Sequence, residues 1–255
     1  MTPPVFVVPQ ADLVEASVGT VVRVDGPEGR HAATVRRISA GERVTLVDGH
    51  GHRADGTVSS VSGKRAVDVT VETLALEPPP EPRIIAVQAL PKGDRGELAV
   101  ELLTEVGVDA IVPWSAEHCV TQWKGERVER GHRRWADAAH AAGKQARRSR
   151  FPEVEALAST AQVVDRVRGA ARALVLHESA AAAIGDVVVP SAGEVLIIIG
   201  PEGGLSATEL EQLTAAGAVA VRMGPTVLRT SSAGIAAVAA LLSSSDRWST
   251  RMVEG

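Results

Sequence analysis

The 255-residue chain is poor in the residues that build several common kinds of site. It has one cysteine, Cys119, so neither an intrachain disulfide nor a cysteine-based metal centre can form. Aromatic residues make up 2% of the chain, too few for base stacking to be the main mode of any nucleic-acid binding; packing is the expected role of Trp114, Trp123 and Trp135. The longest apolar runs, 195–199 and 235–242, are far too short to span a bilayer. No basic segment followed by an apolar stretch opens the chain, so no secretory leader is expected, and a reducing cytoplasm fits the cysteine usage. Two cofactor fingerprints are missing as well. Without G-x-x-x-x-G-K-[ST] there is no P-loop, and without G-x-G-x-x-G after a strand there is no support for a dinucleotide fold.

What is present is unevenly placed. The net charge is only −4, yet Lys124, Arg127, Arg130, Arg133, Arg134, Lys144, Arg147, Arg148 and Arg150 crowd one stretch, opposed by Glu126, Glu129 and Asp137. Arg23, Arg30, Arg36, Arg37, Arg43, Arg53, Lys64 and Arg65 add to the positive charge upstream, and after Phe151 acids outnumber bases. Such a field suits a phosphate backbone, although a solvated helix face laced with ion pairs has the same composition.

Residues 5–8, 18–24, 44–47, 56–61 and 66–71 are rich in valine and threonine and separated by turns, the pattern of a small barrel or sandwich, with one helix at 29–38. Glu77-Pro78-Pro79-Pro80-Glu81-Pro82 excludes helix and central strand and marks a linker at 76–82 between a domain at 1–75 and another at 83–255. Beyond it, strand-like runs at 84–89, 110–112, 173–176, 195–199 and 218–222 alternate with helical ones at 94–106, 125–146, 207–216 and 232–242. This predicts an α/β domain with a mostly parallel sheet covered by helices on both faces.

Ligands of open α/β sheets bind beyond the carboxyl ends of the strands. Three ends are unusual: His177-Glu178-Ser179, Gly200-Pro201-Glu202-Gly203-Gly204-Leu205-Ser206, and Met223-Gly224-Pro225-Thr226-Val227-Leu228-Arg229-Thr230. Ser206 and Glu209 form a capping box for the next helix, and Gly217 can close its end. Asp48-Gly49-His50-Gly51-His52 reads as a hairpin loop, and no metal site is expected.

Together these loops, with Ala233-Gly234-Ile235 opening the last helix, resemble the SPOUT class of RNA methyltransferases, and most closely its ribosomal small-subunit methyltransferase E family. Pro91-Lys92-Gly93-Asp94-Arg95, the run 102–108, Ile111-Val112-Pro113 and Arg134-Trp135 are similar to that family's first helical unit. His31, Val35-Arg36-Arg37, Gly41-Glu42 and Val47-Asp48-Gly49 resemble its PUA-like RNA-binding module. His140, Ala141 and Lys144 depart from it, where an apolar residue followed by glutamates is usual, as does Ser231-Ser232 beside the last turn.

The resemblance implies a PUA-like β-barrel before a knotted SPOUT domain, a homodimer, and S-adenosylmethionine as cofactor. It further implies methylation of N3 of the uridine at position 1498 of 16S rRNA. Another SPOUT-class base or ribose 2′-O methyltransferase, or a non-catalytic RNA-binding assembly protein, would share much of the pattern. The cofactor is expected against Leu176, His177, Gly200, Pro201, Gly203, Met223, Gly224, Leu228, Thr230 and Ala233. RNA is expected to meet Arg30, Arg36, Arg37, Lys92, Arg95, Arg147 and Arg148. For catalysis the candidates are Arg229, as a cation beside the developing uracil anion or the neighbouring phosphate, and Glu202, as a hydrogen-bond or proton acceptor. A structural ion pair for Arg229 and capping of loop amides by Glu202 are the competing roles.

Overall fold

A computed structural model describes residues 2–248. The chain forms two compact units, one made of residues up to Pro79 together with Gly143–Phe151, the other of Pro80–Ala142 and the remainder from Pro152.

In the first unit the elements run β1 (Val5–Val7), α1 (Gln10–Val14), β2 (Val21–Val24), α2 (Gly26–Arg30), β3 (Arg43–Val47), β4 (His52–Ser62) and β5 (Ala66–Leu76). The sheet has the order β1-β3-β4-β5-β2; β1 pairs parallel with β3 and every other pairing is antiparallel. Phe6, Leu46, Val58, Val67 and Val69 supply its core. The helix expected at 29–38 starts earlier, because Pro27 sits in the first turn where its missing N–H costs nothing. It gives way to a π-helical turn at His31–Val35. Strand β4 begins at His52 rather than Gly56. The buried carboxylate of Asp48 accepts from the main-chain N–H of His50 (2.7 Å) and of His52 (3.1 Å), and lies 2.6 Å from His52 Nδ1, which closes the loop before the strand.

Segment Gly143–Phe151 is built into the same unit by main-chain bonds. Phe151 N–H donates to the Gly49 carbonyl and Gly51 N–H to that of Ser149, each at 2.9 Å. Lys144 places its ammonium 2.6 Å from both oxygens of Glu28 and 5.7 Å from the centroid of the Phe6 ring.

The second unit contains β6 (Arg83–Ala89), α3 (Arg95–Val106), β7 (Ala110–Ser115), α4 (Glu126–Gln145, whose last turn passes into the first unit), β8 (Glu153–Val154), β9 (Ala158–Ser159) and α5 (Thr160–Gly169). Then come β10 (Arg172–Leu176), β11 (Ala182–Ala183), β12 (Glu194–Ile199), α6 (Ala207–Ala215), β13 (Val219–Arg222) and α7 (Thr230–Leu242). All strands are parallel, in the order β11-β13-β10-β12-β6-β7-β8, with β9 also on β7. Strands β6 and β12, apolar in these stretches except at Gln88, are buried from Ile84 to Ala89 and from Val195 to Ile199, as a covered parallel sheet requires. Helix α7 packs on α3, β12 and β6, and α5 packs on α6. Gly234 permits the close approach of α7, since a Cβ there would come within 2.8 Å of Leu103 Cδ2. Helices α5 and α6 both begin with capping boxes, Ser159 with Gln162 and Ser206 with Glu209. Among the described residues no helix is long and apolar enough to cross a membrane.

Candidate cofactor cleft and active site

Register decides where the three unusual loops go. Strand β10 lies between β13 and β12, with Leu176 opposite Val221 and Val175 opposite Ile198. The carboxyl ends of all three strands are therefore side by side, and their loops open onto one cleft of about 470 Å³. That size falls in the usual range for small-molecule sites, roughly 300–1,000 Å³.

All ten residues expected to hold a cofactor line this cleft: Leu176, His177, Gly200, Pro201, Gly203, Met223, Gly224, Leu228, Thr230 and Ala233. Arg229, Glu202 and Arg95 line it too. So do Glu178, Ile199, Gly204, Leu205, Arg222, Thr226 and Val227, which sequence reasoning did not single out as ligands; for Arg222 the only signal was its position at a strand end. Lys92, three residues before Arg95, is exposed. Arg30, Arg36, Arg37 and Arg147 are exposed and Arg148 half-buried, all in the first unit, where Arg148 Nε donates to the Arg150 carbonyl at 2.7 Å.

The loop after β12 is tied at several points. The buried carboxylate of Glu209 accepts from Glu117 N–H (2.9 Å), the Thr160 hydroxyl (3.0 Å) and Ser206 N–H (3.2 Å). His118 Nδ1 lies 3.2 Å from the Gly204 carbonyl. Glu202 accepts from the Lys92 main-chain N–H at 3.1 and 3.3 Å and sits 3.9 Å from Arg95 Nη1, so its carboxylate braces the turn at 91–95. Main-chain hydrogen bonding thus describes Glu202 as the structure stands.

The other wall differs. Arg229 is exposed and has no ion pair among the described residues; its carbonyl accepts from Ser232 and Ala233 N–H at 2.9 Å, opening α7. Val227 is 81% exposed. His177 Nδ1 accepts from Ser179 N–H at 3.2 Å, which puts the proton of a neutral ring on Nε2.

The walls leave room for a ligand that approaches main chain closely. A Cβ on Gly204 (φ +74°) or Gly224 (φ +152°) would stand clear of every protein atom within 4 Å, so main chain rather than side chain faces the open space. The buried Thr230 hydroxyl bonds to the Gly200 carbonyl, which joins the two walls. Cys119, nearby in sequence to His118, takes no part: burial pushes its thiol above the ordinary value, so it stays protonated and unreactive. Trp114, Trp123 and Trp135 pack. Trp114 is fully buried with Nε1 3.2 Å from Thr160 Oγ1, and Trp123 meets Trp135 edge to face at 5.2 Å.

Comparison with known proteins agrees with this geometry. Residues 78–242 match the family described as RNA methyltransferase domain, and residues 24–72 that described as RNA methyltransferase PUA domain. Over 234 residues the chain is 47% identical to Ribosomal RNA small subunit methyltransferase E of Mycobacterium bovis, covering 90% of this chain and 89% of that protein. The chain belongs to the ribosomal RNA small subunit methyltransferase E family. Its fold matches that of the family member from Neisseria gonorrhoeae bound to S-adenosyl methionine with a TM-score of 0.82 at 26% identity, over 95% of this chain and 98% of that one. A methyltransferase from Legionella pneumophila in complex with the same cofactor gives 0.83 at 27%, over 96% and 99%.

Proposed function

We propose that this protein methylates N3 of a uridine in 16S rRNA, the family's position 1498, with S-adenosylmethionine as donor. The observation that carries the proposal is the single cleft formed by the loops after β10, β12 and β13, in a chain of this family. In this reading residues 1–75 recognise RNA, 76–82 link, and 83–255 carry out transfer.

S-adenosylmethionine supplies an electrophilic methyl group. The protein's task is to align donor and acceptor and to stabilise the charge that develops on uracil as its N3 proton passes to solvent water. Leu176, Met223, Leu228 and Ala233 offer apolar contact, while the main chain of Gly200, Pro201, Gly203, Gly204 and Gly224, with His177 and Thr230, offers polar contact. Arg229, which lines the cleft without an ion pair, stabilises the negative charge on O2 or O4 of the target base in this reading. Glu202, with its carboxylate on the Lys92 amide, acts by holding the 91–95 turn and Arg95 at the rim rather than by taking the proton. Arg30, Arg36, Arg37, Lys92, Arg95, Arg147 and Arg148 bind RNA phosphates, so affinity for RNA falls steeply with salt. The protein works in the cytoplasm as a homodimer, with the exposed Val227 and Leu228 giving the interface apolar content.

Mass spectrometry of 16S rRNA from a deletion strain tests the assignment. The expected result is loss of 3-methyluridine at position 1498 and its return on complementation. Loss of a ribose 2′-O-methyl or another methylated base instead would transfer the assignment to a different SPOUT activity, and an unchanged rRNA would leave an assembly role.

A further inference from the structure

Strand β6 is buried from Ile84 to Ala89, and every side chain in that run is aliphatic except Gln88. Gln88 is 0% exposed, and its Oε1 is the one buried side-chain oxygen or nitrogen without a hydrogen-bond partner among the described residues. A polar atom left bare in a sheet core lowers stability, and a methionine of similar shape would fill the same space without that cost. The other end of the amide shows what is gained. Nε2 donates to the Ala89 carbonyl at 3.0 Å and lies 3.4 Å from Thr230 Oγ1. Because the Ala89 carbonyl can only accept, the amide nitrogen must face that side and the oxygen is the atom left unpaired. With a donor at its lone pair, the Thr230 hydroxyl has one proton to give, and it gives it to the Gly200 carbonyl. Gln88 is also in register with Ile199, the residue before Gly200.

We propose that Gln88 is a positioning residue for the methyl-donor cleft. Its amide orients the Thr230 hydroxyl onto the Gly200 carbonyl and so locks the first turn of α7 to the start of the β12 loop, at the cost of its own unpaired oxygen. Two walls that come from different strands keep one spacing. The proposal rests on reading the cleft as the S-adenosylmethionine site and adds the group that sets that site's width.

Titration calorimetry with S-adenosylmethionine, paired with thermal unfolding of the free protein, tests it on the full chain. Gln88→Met is expected to unfold at the wild-type temperature or above it, while binding roughly five- to tenfold more weakly, the loss of about one hydrogen bond. Thr230→Val shows a similar loss, and Thr230→Ser, which keeps the hydroxyl, recovers most of it. The double variant Gln88→Met with Thr230→Val binds no more weakly than Thr230→Val alone, because both break the same chain of bonds. Wild-type affinity in Gln88→Met, additive losses in the double variant, or a Gln88→Met protein that unfolds early or fails to fold would each overturn the proposal in favour of a packing role. Failure of the wild-type protein to bind is a different result: it removes the cofactor reading of the cleft, and this inference with it.

Discussion

The two walls of the cleft are built on opposite plans. The wall formed by the 200–206 loop is held from outside at each end. Glu209 gathers Ser206, Glu117 and Thr160, His118 meets the Gly204 carbonyl, and Glu202 takes the Lys92 amide. The wall at 223–229 has no comparable set: among the described residues its side chains make no ion pair, and Arg229 and Val227 are exposed. A wall fixed by several hydrogen bonds suits a small ligand of constant shape, since preorganised groups need no rearrangement when it binds. A wall with an unpaired cation and an exposed valine leaves contacts for a further ligand to complete. The contrast predicts that substitutions on the first wall change stability, whereas those on the second change turnover.

The largest effect is expected on the second wall. Arg229→Ala should lower kcat about 10²- to 10³-fold, the usual loss when a group stabilising transition-state charge is removed. Its unfolding temperature should stay at the wild-type value, since no ion pair is lost. Single-turnover methylation of 16S rRNA alongside thermal unfolding reads both, and a fall in stability with intact turnover would reverse the roles of the two walls. Arg229→Lys keeps the charge without the planar fork and should recover part of the rate.

On the first wall, Glu209→Ala should lower stability by about 2–3 kcal/mol. It removes the capping-box partner of a buried side chain and leaves the Glu117 amide and the half-buried Thr160 hydroxyl without their acceptor. A shift of the urea midpoint at constant slope is the signature. Ser206→Ala removes one cap bond, that of the Glu209 amide, and should cost about 1 kcal/mol by the same measurement.

The two walls were also unequally legible in sequence. The run 195–199, the glycines at 200, 203 and 204, and the Ser206–Glu209 box state a strand, a turn and a helix start by local rules alone, and all are found. The same rules applied to Ser159 and Gln162 specify the start of α5, but its ten residues carry few of the large apolar side chains that advertise a helix face. Strands β8, β9 and β11 have two residues each and no local signal, since they exist only as additions to a neighbouring strand. Gln88 was visible as a polar residue in an apolar strand. Its meaning was not, because its partner Thr230 lies 142 residues further along. What Glu209 does beyond capping was hidden in the same way, as Glu117 and Thr160 are 92 and 49 residues away.

The smallest expected effect is the most demanding test of the contrast. Val227 lines the cleft and is 81% exposed, so an isolated protomer loses almost no buried apolar surface when it is replaced by serine. Val227→Ser should therefore change stability by no more than about 0.5 kcal/mol, the range for an exposed position. A larger loss could arise only if something covers the side chain, and the proposed partner is a second copy of the chain. In that case the loss must depend on protein concentration, because a residue buried by association stabilises only the associated form. Unfolding Val227→Ser and wild type over a hundredfold range of concentration separates the cases. A loss above 1 kcal/mol that is independent of concentration would mean that the second wall is packed within its own protomer, and the division between a fixed wall and an open one would have to be given up.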